Sequence, residues 1–428
     1  MTAGNVAVIG AGWAGLAAAV AATRDGHRVT IYESSRALGG RARSLATLLP
    51  DGSTALLDNG QHIMIGAYTA TLRLMLDVGV DPPAVLLRLP LTLRFPDGDG
   101  LALPDLPAPL DAAWGIARAR GWTVRDKASM LAAALRWQLG RFRCEPSATV
   151  LDVCRGLAPR VQEELIEPLC VSALNTPASR ASGQVFLRVV RDALFGSGHG
   201  PWSGSNLLLP RVDLGRVFPQ AAAQWLAQRD ASLVLGHRVQ ALAPLGSGWQ
   251  VDGTRFDAVV LACPVSEAAR LVRGAGIDAA AWLAPAESLA HEAIATVYAC
   301  GGPRLPLPML ALRTTPSAPA QFVFDRSQLG GPAGLLAFVV SASHDDRDAL
   351  QDLVLAQAAA LGWDRLQAVQ TVVEKRATFA CTPALRRPPT GVAPGLLACG
   401  DYVDGPYPAT IEGAVRSALQ AAARLPRA

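Results

Sequence analysis

Lysine is nearly absent from this chain: Lys127 and Lys375 are the only two, so its positive charge rests on arginine. The net charge is a mild +4, and only 17% of the 428 residues are charged. That leaves no strong electrostatic footprint for nucleic acid, and no helix-turn-helix, zinc-knuckle or RNA-binding pattern is present. Cysteine is scarce as well. The seven cysteines are odd in number and contain no CxxC pair. This excludes a disulfide framework or a thiolate zinc site and points to a reducing cytoplasm and no structural metal. Uninterrupted apolar runs are also missing. Residues 1–23 carry no charged side chain, but Gly4, Gly10, Gly12 and Gly15 break them up and no basic n-region leads them, so a signal peptide or membrane anchor is not expected there. No other segment reads as a transmembrane span. What is left is a chain that is half apolar and long enough for two or three domains around a large core.

The most informative stretch is VAVIGAGWAGLAAAVAATRDGHRVTIYE, from Val6 to Glu33. Val6 to Ile9 is a short apolar run, as in a strand buried on both faces of a parallel sheet. Gly10 permits a tight turn, Gly12 lets the backbone approach a diphosphate, and Gly15 lets the next helix lie close to the strand. Leu16 to Thr23 is almost all alanine and leucine, a strong helix former whose positive end faces the anion. Arg28 to Tyr32 reads as a second strand, closed by Glu33. A carboxylate there accepts hydrogen bonds from an adenosine ribose and repels a 2′-phosphate, which argues against NADP.

Past Glu33, Gly39 and Gly40 with Arg41 and Arg43 form a permissive loop whose guanidinium groups can fork onto phosphate oxygens; an ordinary basic turn is the alternative. The GxGxxG unit, Glu33 and Leu38-Gly39-Gly40-Arg41-Ala42 together resemble the flavin-containing amine oxidase and phytoene desaturase superfamily. The resemblance implies FAD, with Gly10, Gly12, Trp13, Ala14, Gly15, Glu33, Gly40 and Arg41 as cofactor-binding residues. It implies further that the backbone at Val239 pairs with the adenine edge and that Gly400 and Asp401, in GLLACGD, hold the ribityl side. The helix opening at Ile411, in PATIEGA, then turns its positive end toward the flavin pyrimidine. Relatives that oxidise amines hold a lysine near the flavin; neither lysine here stands in that context, which argues against amine oxidation.

Within that superfamily the segment Leu56 to Tyr68 carries DNGQH, which resembles the squalene-associated desaturases, the hydroxysqualene dehydroxylases of hopanoid synthesis. The resemblance places Gly60 and Gln61 beside the flavin. It implies reductive removal of the hydroxyl of hydroxysqualene, a hydrophobic isoprenoid, with an electron donor that the sequence does not name. His62 is the candidate catalytic residue, a proton donor to the departing hydroxyl, because a histidine can carry a proton near neutral pH. A satisfied structural histidine is the alternative. Two rival functions stay open: an oxidative phytoene or carotenoid desaturase, and a non-catalytic flavin-binding partner of a squalene-synthase-like enzyme.

The expected fold class is α/β: a Rossmann-type FAD-binding domain with a parallel sheet, plus a mixed α+β substrate domain of amine oxidase type. The FAD-binding domain is expected in three pieces, 1–75, 207–264 and 390–428, and the substrate domain in two, 76–206 and 265–389. In the second piece of the FAD domain, LVLGHRVQAL, GWQVDG and TRFDAVVLACP read as three strands of a small inserted sheet. Leu86 to Leu103 reads as a hairpin, Tyr68 to Val80 and Thr149 to Asn175 as helices, and 196–210 as a lid or a return crossover. Leu110 to Phe142 sets Arg118, Arg120, Arg125, Lys127, Arg136 and Arg141 among Trp114, Trp122 and Trp137. Such a segment either lies on an anionic membrane with its tryptophans at headgroup depth, or packs the tryptophans inward as a solvated helix pair. The first alternative makes the protein peripheral to the membrane.

Overall fold

Burial on both faces explains why Val6, Ala7, Val8 and Ile9 are all apolar, Val6 and Val8 packing into one hydrophobic cluster and Ala7 and Ile9 into another. In the computed structural model, which describes residues 4–196, 198–343 and 346–426, these residues lie in β1 (Asn5–Ile9) at the centre of a six-stranded sheet. The other strands are β2 (Arg28–Glu33), β3 (Ser232–Leu235), β4 (Ala258–Leu261), β5 (Gly391–Ala393) and β6 (Leu396–Ala398), in the order β3-β2-β1-β4-β6-β5. All pairings are parallel except that of β5 with β6. Helix α1 (Trp13–Arg24) covers one face and is buried almost all round, which is why it is built of small residues with Leu16 and Val20. The last helix, α2 (Ile411–Ala422), packs beside it.

The sequence leads one to expect three strands of a small inserted sheet between 233 and 264; the structure divides them differently. Ser232–Leu235 pairs in parallel with β2, and Ala258–Leu261 pairs with β1. Only the polar, glycine-turned stretch between them forms the antiparallel meander, from Leu242–Leu245 through Gly248–Val251 to Thr254–Phe256. The two flanking strands are the more apolar, and they join the buried sheet.

The second body is built on an antiparallel five-stranded sheet in the order Met309–Ala311, Phe322–Asp325, Leu336–Ser343, His291–Cys300, Gln367–Phe379. One face packs on helix Arg347–Ala360. The other packs on a helical layer that includes Leu110–Ala117, Val124–Leu139, Glu167–Leu174 and Gly183–Phe195. The predicted long helix between Thr149 and Asn175 is broken into short pieces, with a π-helical turn at Gln162–Ile166, and ends where Asn175 takes a left-handed φ of +46°. The hairpin expected over 86–103 is shorter than its sequence pattern suggests: Thr92–Arg94 pairs with Gly100–Ala102, whereas Leu86–Leu89 pairs with Leu207–Pro210. The stretch expected to be a lid or crossover therefore ends in a buried strand joining the two bodies; residue 197 within it lies outside the described residues. Trp122 and Trp137 are buried, and Trp114 is exposed. Among the described residues no helix is long and apolar enough to cross a membrane.

Candidate functional site

At the carboxyl end of β1 the chain passes through Gly10, with φ +112° and no room for a side chain: a Cβ there would lie 2.7 Å from the Ala262 carbonyl oxygen. One turn into α1, a Cβ on Gly15 would stand 1.8 Å from the Gly10 carbonyl oxygen. Gly12 forms a backbone bridge with Gly39, and Gly12 and Gly40 touch back to back, a Cβ on Gly40 lying 3.2 Å from the Gly12 Cα. The two glycine loops thus make one shallow cradle. Gly12 caps α1 with no side chain, so the first N–H groups of the helix, at Trp13 and Ala14, remain available to an anion. The Trp13 ring is anchored away from the cradle against Phe218, at 5.0 Å between centroids.

Glu33 is buried at the end of β2. Its Oε2 accepts the Ala11 N–H at 2.7 Å and its Oε1 the Ser35 N–H at 2.8 Å, which fixes the carboxylate beside the cradle with lone pairs to spare. Next to it, Tyr32 and His237 pack their rings at 5.2 Å. Val239 is buried; its carbonyl accepts from Arg270 at 2.7 Å, and among the described residues its N–H has no partner. An N–H left over in that position suits an acceptor on a base edge.

The Arg41 guanidinium donates to Asp401 Oδ1 and, at 2.6 Å, to the Ala377 carbonyl, and the Asp401 charge pushes the arginine pKa up. The sequence assigns Arg41 to phosphate oxygens; the structure places it as a strut between the second glycine loop and the end of β6. Gly400 precedes Asp401 at a φ of +151°, where a Cβ would meet the Tyr402 ring at 2.6 Å, and its N–H donates to Ser417 Oγ at 2.9 Å. Ile411 opens α2, whose N-cap Thr410 accepts the Gly413 N–H at 3.0 Å. Glu412 is fully buried and accepts from Ala70 N–H at 3.0 Å, Thr71 N–H at 2.9 Å, Thr71 O–H at 2.7 Å and Arg416 at 2.7 Å. It fastens α2 to helix Thr69–Asp77. From sequence it is one acidic residue in the first turn of a helix.

The DNGQH segment crosses between the two bodies. Asp58, a turn residue by its sequence, is buried: Oδ1 accepts the Leu214 N–H at 2.9 Å, Oδ2 has no partner among the described residues, and burial pushes the carboxyl up to about 6. Tyr298 donates to the Asp58 carbonyl at 2.8 Å. Gly60 offers its carbonyl to His62 Nδ1 at 2.6 Å, which fixes the neutral tautomer with the proton on Nδ1 and a lone pair on Nε2. Burial, with the Arg41 charge nearby, pushes His62 below its ordinary 6.5. Gln61 Oε1 accepts from buried Arg326 at 3.0 Å. A guanidinium only donates, so this contact orients the amide and leaves its Nε2 without a partner among the described residues.

Beyond Gln61 opens an apolar cavity of about 220 Å³, roughly fifteen times what one water needs. Phe322 and Phe324 of the five-stranded sheet, and Met130 and Trp137 of helix Val124–Leu139, supply much of its wall; Gln61, Tyr68, Tyr407 and Thr410 supply polar points. Gln61 belongs to this wall, and His62 does not. The structure therefore gathers Gly10, Gly12, Trp13, Ala14, Gly15, Glu33, Gly40 and Arg41 at one cradle. It sets Gly400, Asp401 and Ile411 along its continuation, runs the chain through Gly60 to Gln61 at the cavity, and leaves His62 behind the cavity wall. The contacts of Asp58, Glu412 and Arg326 are not legible in the sequence, because each closes across more than a hundred residues of chain.

A family model described as flavin containing amine oxidoreductase matches residues 13–426. The chain is 29% identical over 452 residues to the hydroxysqualene dehydroxylase of Rhodopseudomonas palustris, covering 98% of this chain and 97% of that one. It is 27% identical over 458 residues to the hydroxysqualene dehydroxylase of Sinorhizobium fredii, with 98% and 97% covered. Among solved structures, cyclohexylamine oxidase from Brevibacterium oxydans superposes with a TM-score of 0.61 at 18% identity, over 99% of this chain and 98% of that one. The shared fold is therefore that of the FAD-binding amine oxidases, and the glycine cradle with an acid at the end of β2 fits FAD in shape and donor set.

Proposed function

This chain belongs to the flavin-containing amine oxidoreductase family and is an FAD-dependent oxidoreductase, and on that footing we propose that it removes the allylic hydroxyl of hydroxysqualene to give squalene in hopanoid biosynthesis. The observation that carries the reading is the apolar cavity reached through Gln61, which suits a hydrocarbon chain. Asp192, the carboxylate in its lining, is already paired with Arg188 and Arg191 and so offers a charged amine no free partner. The similarity to hydroxysqualene dehydroxylases along nearly the whole chain supports the same substrate.

Bound FAD, once reduced by a donor outside this chain, supplies a hydride equivalent. In the reaction the C–O bond breaks, hydride and one proton are taken up, and water leaves. The protein's part is to hold, orient and exclude water. Gly10, Gly12, Trp13, Ala14 and Gly15 would hold the diphosphate, Glu33 the adenosine ribose and Val239 the adenine edge. Gly40 with the Arg41–Asp401 strut and Gly400 would hold the ribityl side, and the start of α2 at Ile411 would face the pyrimidine. Gly60 would bring backbone close to the flavin ring, and Gln61, oriented by Arg326, would turn its amide toward it. Phe322 and Phe324 keep water from the cation-like carbon.

His62 remains the proposed proton donor, and its environment fixes the pH dependence. A histidine pushed below 6.5 is mostly neutral at pH 7, so the protonated fraction falls about tenfold per pH unit above its pKa. The expected profile of kcat therefore descends from below pH 6.5, and His62→Ala loses about 100-fold or more in kcat together with that limb. An unchanged rate and profile in His62→Ala would remove the residue from the mechanism.

The decisive measurement is anaerobic. Photoreduced protein is expected to be reoxidised stoichiometrically by added hydroxysqualene, with squalene recovered from the extract. Bleaching of the oxidised flavin by phytoene or squalene, with no response to hydroxysqualene, would make it a desaturase. A protein whose reduced flavin does not answer to hydroxysqualene and whose oxidised flavin does not answer to phytoene or squalene would be a flavin-binding partner without chemistry of its own.

A further inference from the structure

Helices Leu110–Ala117 and Val124–Leu139 are apolar on two opposite sides. Their inner side closes the cavity with Ala112, Ile116, Met130 and Trp137. Their outer side has no covering layer among the described residues. There Val124 is 84% and Leu139 76% exposed, Trp114 is 49% exposed, and Leu110, Leu131 and Leu135 are exposed with them. Leu131, Leu135 and Leu139 recur every fourth residue and so form one stripe along the helix. A soluble surface helix ordinarily pairs a buried apolar face with a polar one; this helix does not.

Charge tells what kind of surface would cover the stripe. Arg118, Arg120, Arg125, Arg141 and Arg143 are exposed around it. The two acids of the helical stretch, Asp111 and Asp126, are buried, Asp126 in the capping box of Thr123. The Arg118 guanidinium lies over the Trp114 ring at 4.7 Å, which places a cation and an amphipathic ring side by side. Leucines ringed by arginines, with tryptophan among them, match the boundary of an anionic bilayer. At 16 residues, the longer helix is about 24 Å long, too short to span about 30 Å of hydrocarbon and suited to lying flat.

We propose that the outer face of these two helices is seated in an anionic lipid surface, so that the cavity takes its apolar substrate from the bilayer across a wall one helix thick. The sequence leaves two alternatives for this segment, tryptophans at headgroup depth or tryptophans packed inward, and the structure divides the three between them, with Trp114 alone on the outer face. Trp122 and Trp137 face inward, Trp137 onto the cavity, and the leucines take the outer role. The identity of the substrate rests on the function proposed above; the lipid surface rests on the geometry of the two helices.

The test uses the full-length, FAD-loaded protein with vesicles of phosphatidylcholine, with and without phosphatidylglycerol. The protein is expected to co-sediment with the anionic vesicles. Brominated lipid is expected to quench its tryptophan fluorescence, and Trp114→Phe to remove that quenching. The triple variant Leu131→Glu, Leu135→Glu, Leu139→Glu alters only exposed positions, so flavin content and circular dichroism should be retained while vesicle affinity falls by about 100-fold. With substrate embedded in vesicles its KM should rise about tenfold or more, while kcat on detergent-dispersed substrate stays that of the parent. Equal vesicle binding by the triple variant and the parent, or an unquenched Trp114, overturns the proposal. Vesicle binding that depends on the leucine stripe, in a protein that never turns over hydroxysqualene, upholds the lipid surface and rejects the substrate.

Discussion

A Gly15→Ala protein is expected to purify colourless. The added Cβ would sit 1.8 Å from the Gly10 carbonyl oxygen, about half the ordinary contact distance of about 3.5–4 Å. The oxygen cannot yield, because Gly10 is itself held: its N–H donates to the Tyr32 carbonyl at 2.8 Å, and its Cα faces the Ala262 backbone. Helix α1 must therefore retreat from β1, carrying its first free N–H groups with it. Overpacking of this kind costs about 1–3 kcal/mol, and the displaced N–H groups lose their grip on the diphosphate. We expect FAD to bind about 100-fold more weakly or worse, read as flavin absorbance per protein after desalting and by titration with added FAD. A yellow, fully loaded Gly15→Ala protein would show that the two glycine loops are not the diphosphate site. Gly274, a helical glycine with no atom within 4 Å of where a Cβ would stand and no left-handed φ, is the matching control.

Glu412→Ala is expected to destabilise the protein by about 3–5 kcal/mol. The carboxylate has no exposed surface and accepts from two backbone N–H groups, a hydroxyl and the Arg416 side chain. Alanine would strand the Ala70 and Thr71 N–H groups at the start of a helix, each at about 1–3 kcal/mol. Because the same carboxylate ties α2 to helix Thr69–Asp77, FAD affinity should fall with stability. Urea denaturation with and without excess FAD separates the two effects. A midpoint unchanged from the parent in either condition would show that Glu412 holds nothing. Glu412→Gln keeps one acceptor and should lose less.

Local chemistry is legible in the sequence and long-range pairing is not. The strand from Val6, the glycine turn, α1 and Glu33 can be read because each follows from its neighbours within about thirty residues of chain. The parallel sheet follows from that motif, while the mixed α+β second domain and FAD as cofactor follow from the family resemblance that the motif carries together with Leu38-Gly39-Gly40-Arg41-Ala42. Glu412, Arg41 and Arg326 are different. Their partners Thr71, Asp401 and Gln61 stand 341, 360 and 265 residues away, and no periodicity encodes such distances. The same limit misplaces Ser232–Leu235: its apolar pattern suits any sheet, and only the edge left vacant beside β2 decides which. At Leu110 to Phe142 the basic and aromatic composition is plain from the sequence. A helix with apolar residues on both sides carries no single hydrophobic direction, however, so the sequence cannot say which side faces the core.

The order of the central sheet has a consequence for how the chain is made. β1 and β2 leave the ribosome well before β4, which follows more than two hundred residues later, and β6 with α2 more than a hundred residues after that. Both edges of the nascent β1–β2 pair stand unfilled until β3 and β4 arrive, and the apolar underside of α1 lacks α2 for longer still. Parallel pairings of such separation fold slowly and leave strand edges open to wrong partners. During synthesis the amino-terminal half is thus expected to need protection by chaperones, and a flavin held as proposed, by the β1–α1 turn and by the start of α2 together, would act as the clasp that completes the fold.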